Sequence, residues 1–208
     1  MSGSTLICFA VKEEAAPFRK LAAGRDDLQI LVTGMGRDNS ERSLRAALAE
    51  KIPARVFTCG FAGGLNPALA SGEVIFSAGE AAALLTAGAR PVIFHCASRI
   101  AVTAAEKTEL RLMTGADAVE MESEFIHAIC RAQNIPCATV RVISDTAEEN
   151  LPMDFNQLTT PEQNMDFGKL ALALVKSPGK IGGLLKLQRQ TRAAAENLAR
   201  VLAKITAR

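Results

Sequence analysis

Short apolar runs alternating with stretches of helical period constrain this chain more than any other feature. Leu6 to Val11 reads as a buried strand and Glu14 to Ala23 as a helix. Gln29 to Thr33 is strand-like, Gly34-Met35-Gly36 a tight loop, and Asn39 or Ser40 caps a helix with Leu44, Ala47 and Leu48 on one face. Arg55 to Cys59 is a third strand, followed by a glycine-rich loop, Gly60-Phe61-Ala62-Gly63-Gly64. Glu73 to Ser77 and Pro91 to His95 are further strands, and Thr103 to Thr114 is helical. Met121, Phe125, Ala128, Ile129 and Ala132 mark one face of another helix before a last strong strand, Cys137 to Ile143. Strands interleaved with helices imply an α/β layered sheet, with ligands at the loops beyond strand ends.

Composition narrows the function classes. The 208 residues are 49% hydrophobic and 22% charged, enough to bury one domain's core. All nine aromatics are Phe, which leaves no platform of Trp or Tyr for stacked nucleobases, and a net charge of +2 is too balanced for a polyanion binder; no nucleic-acid partner is expected. No apolar run reaches the roughly 18–20 residues of a membrane span and the start lacks a signal-peptide layout, so a cytoplasmic protein is expected. The five cysteines have no CxxC spacing and read as buried reduced thiols; His95 and His127 have no ligand-spaced partners, so no metal is expected.

Charge is uneven along the chain. Residues 169–208 hold nine Lys/Arg and one acid, Glu196, a net of +8. Leu184, Leu187, Thr191, Ala194, Leu198, Val201, Leu202 and Ile205 fall at helical spacing there. We therefore divide the chain into a domain over 1–176 and a basic helical segment over 177–208. That segment either packs on the same domain or faces anionic lipid, which would make the protein peripheral to a membrane.

Acids stand where strands end: Glu13-Glu14, Glu120-Met121-Glu122 and Asp145. Such carboxylates can converge on a pocket and divide acid and base work, or simply be solvated helix starts. Order and spacing add to this. The segment 59–74, CGFAGGLNPALASGEV, resembles the G-x-A-G-G-L-x-P-x-L-x-x-G-D-V segment of the superfamily of purine nucleoside phosphorylases and methylthioadenosine/S-adenosylhomocysteine nucleosidases. AVEMES (118–123) is similar to its ribose motif, VRVISDTA (140–147) to its V-R-A-I-S-D-x-A, AVKEE (10–14) to its N-terminal A-M-x-x-E, and TGMG (33–36) to its S-G-I-G.

The resemblance implies a three-layer α/β/α sandwich with a central mixed sheet, and homo-oligomers of two or more copies. It implies cleavage of the N-glycosidic bond of an adenine nucleoside bearing a 5′ substituent, without a cofactor. Glu14 would activate water, and a protonated Asp145, oriented by Ser144, would protonate the purine N7. Glu122 would bind the ribose hydroxyls with Met121 against the sugar, Gly63 would lie along the ligand, and backbone near Ile100 would hold the base. These types suit an oxocarbenium-like transition state, whose charge must be stabilised and whose leaving base neutralised.

The chain also departs from that pattern. Phosphorolytic members carry an Arg before the glycine run, where Phe57-Thr58-Cys59 stands here; hydrolysis is thereby favoured, and Arg37 reads either as a solvated helix-start residue or as a substitute for holding phosphate. Residues 78–90 are short where relatives close the pocket, and residues 95–100 offer no aromatic to stack on the base, only Arg99. The string Thr103 to Lys107 with Leu110 and the tail resemble a branch associated with hopanoid lipid biosynthesis, which implies an adenosyl-lipid such as adenosyl-hopane. The alternative is a nucleoside-binding relative that has lost catalysis.

Overall fold

The structure, a computed structural model, describes residues 3–158, 160, 168–169, 172 and 177–207. The domain boundary at 176 and the tail cations Lys176 and Arg208 lie outside the described residues.

Strand β1 (Thr5–Phe9) alternates its side chains between two apolar layers, as a strand buried on both faces must. Ile7 and Phe9 join one core cluster, Leu6 and Cys8 the other. Parallel strands β2 (Leu28–Val32) and β3 (Arg55–Gly64) flank it, and β8 (Cys137–Asp145) pairs in parallel with the far side of β3. β4 (Val74–Ser77) runs antiparallel to β8, and β5 (Arg90–Pro91) is parallel to β4. The order is thus β2-β1-β3-β8-β4-β5. A small ladder of β6 (Phe94–Cys96) with β7 (Ala118–Glu120) joins through the antiparallel pairs Gly63–Val119 and Gly64–Ala118.

Helices cover both faces of this mixed sheet. On one lie α1 (Lys12–Leu21), α3 (Ala81–Ala87) and the long C-terminal α6 (Ile181–Ile205), burying Phe18, Leu84, Leu198 and Leu202 among Phe57, Val140 and Val142. On the other lie α2 (Gly36–Glu50) and α5 (Ser123–Ala132), packed through Leu44, Leu48, Ile126 and Ile129 on Leu6 and Val56. The sandwich is the three-layer α/β/α arrangement expected from the sequence. Helix α4 (Ala104–Thr114) begins with a capping box between Thr103 and Glu106.

Four local expectations are corrected. The glycine run 60–64 is the second half of β3 rather than a loop, because Gly63 and Gly64 continue the ladder to β7. Helix α2 starts at Gly36, so Asn39 and Ser40 lie inside it instead of capping it. The apolar stripe that included Met121, Phe125 and Ala128 is displaced: α5 starts at Ser123 and buries Ile126, Ile129 and Cys130. Pro91 to His95 is split into β5 and β6.

Helix α6 answers the question its charge raised. From Ala194 onward its apolar stripe is core, whereas Ile181 and Leu185 in its first turns are exposed. No helix among the described residues is long and apolar enough to cross a membrane.

Candidate active site

The parallel strands β1, β3 and β8 end on the same side of the sheet, which is where open α/β sheets form their crevices. A cavity of about 250 Å³ lies there. Its lining includes all seven residues singled out from the sequence: Glu14, Gly63, Ile100, Met121, Glu122, Ser144 and Asp145.

Glu14 sits in the first turn of α1, and its side chain folds back over the helix N-terminus. Oε2 accepts from the N–H groups of Ala10 (2.9 Å) and Val11 (3.0 Å), and Oε1 accepts from Phe61 N–H (2.8 Å). Burial pushes this carboxyl up to about 7, against the opposing pull of the Arg141 cation and the Phe61 N–H. Its neighbour Glu13 points outward and is exposed, so the sequence pair divides into one cavity acid and one solvated acid.

Glu120 and Glu122 are both buried about the guanidinium of Arg141. Arg141 Nη2 lies 2.6 Å from Glu120 Oε2 and 3.2 Å from Glu122 Oε2, and it also donates to Thr58 Oγ1 at 3.2 Å. Glu120 accepts from the N–H groups of Glu122 and Ser123 at the start of α5 and from the Ser123 hydroxyl. Burial alone would raise its carboxyl; Arg141 and these bonds outweigh it and hold Glu120 below the ordinary value. Burial raises Glu122 in spite of Arg141. Glu122 Oε1 accepts from Gly36 N–H at 2.9 Å, at the positive end of α2, where Gly36 has a φ of +73°.

Asp145 ends β8. Its Oδ1 lies 2.5 Å from Ser144 Oγ, and its Oδ2 accepts from Lys107 Nζ at 2.5 Å. Lys107 is the buried residue of α4 and was not singled out in the sequence; its signal there was a lysine three positions before Leu110, on the face of α4 that turns inward. Asp145 thus meets Lys107 as well as the Ser144 that the resemblance assigned to it.

Ile100 lines the cavity, but its backbone is occupied: its N–H donates to Asn156 Oδ1 (2.9 Å) and its C=O accepts from Asn156 Nδ2 (3.0 Å). Asn156 and Phe155, in a single 3₁₀ turn (Phe155–Leu158), were missed in the sequence. Phe155 and Phe61 give the cavity the aromatic faces that residues 95–100 lack. None of residues 78–90 lines it; Leu84 and Ala87 are core, and the wall is closed instead by Leu151, Phe155, Leu187 and Thr191. Arg37 lies outside it, ion-paired to Glu41 at 2.9 Å with its guanidinium 5.0 Å from the Phe125 ring centre. Among the described residues, no three of His, Cys, Asp and Glu are grouped to hold a metal ion.

Sheet order, helical layers and a strand-end cavity rich in carboxylates define an α/β protein of the nucleoside phosphorylase-like fold. Residues 80–176 match the family model of the phosphorylase superfamily. The aminodeoxyfutalosine nucleosidase of Campylobacter jejuni is 38% identical over 53 residues, a stretch that spans 26% of this chain and 23% of that protein. The futalosine hydrolase of Helicobacter pylori superposes with a TM-score of 0.75 at 14% identity, over 99% of this chain and 97% of that one. The 5′-methylthioadenosine/S-adenosylhomocysteine nucleosidase of Campylobacter jejuni gives 0.71 at 17%, over 98% of each. At these identities the structural likenesses show the fold.

Proposed function

We propose that the chain is an N-glycosyl hydrolase that releases adenine from a nucleoside bearing a 5′ substituent. The observation that carries this reading is the convergence of Glu14, Glu122 and Asp145 on one cavity. Glu14, held by three amide N–H groups and titrating near 7, is matched to taking a proton from water at neutral pH. Water oxygen bonds to C1′ as the C1′–N9 pair leaves with the base, and Asp145 supplies the proton that N7 takes up. Glu122 accepts from the ribose hydroxyls, and Met121 packs on the sugar. Arg141 Nε, behind the carboxylates, is buried without a hydrogen-bond partner.

Hydrolysis is favoured over phosphorolysis by charge. Phosphate would meet Glu14, Glu120, Glu122 and Asp145 in the same cavity, with Arg141 already shared between two of them. Glu14→Gln and Asp145→Asn are each expected to abolish adenine release while the protein stays folded; near-wild-type turnover in either removes that residue's role. Ribose 1-phosphate formed only with added phosphate would overturn hydrolysis.

The 5′ substituent is read as bulky and apolar, an adenosyl-lipid such as adenosyl-hopane. Leu151, Phe155 and Leu187 line the cavity, and a groove of about 680 Å³ between α1 and α6 shares Phe61 and Thr191 with it. Long 5′-alkylthioadenosines should therefore be cleaved with higher kcat/KM than methylthioadenosine; the reverse order argues for a small soluble nucleoside. Exposed Ile181 and Leu185 beside Lys180, Lys186 and Arg189 fit contact with an anionic membrane, which salt-sensitive binding to anionic vesicles would test.

A further inference from the structure

We infer that Lys107 is a positioning residue for the hydrolysis: it acts through Asp145, fixing the carboxyl by one oxygen and tying it to the helix that walls the cavity. The inference rests on the reading of Asp145 as the group that protonates the base.

Lys107 has no exposed surface, and an ammonium in such a place must have every N–H satisfied. It does. Nζ donates to Asp145 Oδ2 at 2.5 Å, Thr146 O at 2.7 Å and Glu149 O at 2.8 Å. Three acceptors for three donors define a cation with no freedom to turn. Asp145 is thus held from both sides, Lys107 on Oδ2 and Ser144 on Oδ1. The same ammonium clamps the turn that follows β8, and that turn reaches α6: Glu149 Oε1 accepts from Lys186 Nζ (3.0 Å) and Gln190 Nε2 (3.1 Å). Leu187, between those two residues, lines the cavity. One lysine therefore joins the acid to the helix that forms the cavity wall.

The surrounding charges define what Lys107 does. Across the cavity stand Glu14 from α1, Glu120 and Glu122 from β7 and its end, Arg141 from β8 and Arg99 from the loop after β6. Arg141 is engaged by Glu120 and Glu122, and Arg99 by Glu106. Glu149 turns its carboxylate to α6. The cation that faces Asp145 directly is Lys107. With it in place the Asp145 carboxyl has one orientation, Oδ2 toward Lys107 and Oδ1 toward Ser144.

The test compares Lys107→Met, Lys107→Arg, Asp145→Asn and the double variant on a cleaved 5′-substituted adenosine. Lys107→Met should lower kcat by about 10²-fold or more, the scale of one general acid, and leave KM within about threefold. Lys107→Arg, which keeps a cation on Asp145, should recover most of kcat. Adding Lys107→Met to Asp145→Asn should cost nothing further. An equal loss in the Asp145→Asn background, or no recovery in Lys107→Arg, overturns the inference and leaves Lys107 a purely structural ion. If Lys107→Met does not fold, the double variant, which removes both charges, carries the test: a double variant less active than Asp145→Asn overturns it. Wild-type protein that releases no adenine from any nucleoside instead refutes the hydrolase reading. The pairing is then still read from the Asp145 carboxyl ¹³C resonance, which should move in Lys107→Met, and a constant resonance overturns it.

Discussion

The carboxylate of Glu14 occupies the space that a side chain at Gly60 would need. A Cβ on Gly60 would stand 2.5 Å from Glu14 Oε1 and 2.8 Å from its carboxyl carbon, and Gly60 has a φ of +144°. The glycine thus admits the acid into the sheet and lets Phe61 N–H turn toward it.

Gly60→Ala should accordingly lose adenine release and also stability. The backbone conformation alone costs about 1–3 kcal/mol for a residue with a Cβ, before the displaced carboxylate is counted. Denaturant unfolding measures the first effect and an adenine assay the second. A variant as stable as wild type would show that Glu14 can swing aside freely.

Activity should fall on the acid side of about 7, where Glu14 gains its proton and stops serving as a base. Stability runs the opposite way for this group. Its folded value, about 7, lies above the ordinary 4.5, so the native state holds the extra proton between these limits. Its contribution is fully present below about 4.5 and is lost as pH rises toward 7. Thermal unfolding of Glu14→Gln beside wild type should show the variant gaining steadily on wild type over that window. Parallel curves would contradict the raised value.

Removing residues 178–208 should unfold the protein. Leu198 and Leu202 are completely buried between α1 and the sheet. Leu198→Ala should cost about 2–5 kcal/mol, the range for a large-to-small change in a core. Leu185→Ala, at a position 48% exposed, should change stability by less than about 0.5 kcal/mol. Urea unfolding of the two variants decides whether α6 divides into a core half and a surface half as described.

Asn156→Ala should raise KM more than it lowers kcat, since Asn156 holds both backbone groups of Ile100 at the cavity edge. Steady-state kinetics on an adenine nucleoside separates the two constants. An unchanged KM would show that this edge does not meet the base.

The strands of the central sheet were legible because parallel strands buried on both faces leave apolar runs, unbroken over Leu6 to Phe9 and interrupted only by Thr139 and Arg141 over Ala138 to Ile143. The acids were legible as a set through motif order. What decides between Glu13 and Glu14 is a tertiary fact, the Phe61 N–H that only Glu14 reaches. The glycine run misled because glycines are read as turns, whereas Gly63 and Gly64 are needed where β3 meets β7 and Asp145. Lys107 and Asn156 were hidden for a similar reason: a lysine within a helix and an asparagine in a loop acquire meaning only from the segments folded against them.

The cavity is framed by Ala10 to Glu14 at one end of the sequence order and by Leu187 and Thr191 at the other. Because α6 is at once a cavity wall and a strut of the core, the cavity cannot close before α6 docks. The early strands leave the ribosome with Glu14 already encoded but with one side of its chamber missing. Enzymatic competence should therefore arise in a single late step, when position 191 and the core residues after it have emerged and docked.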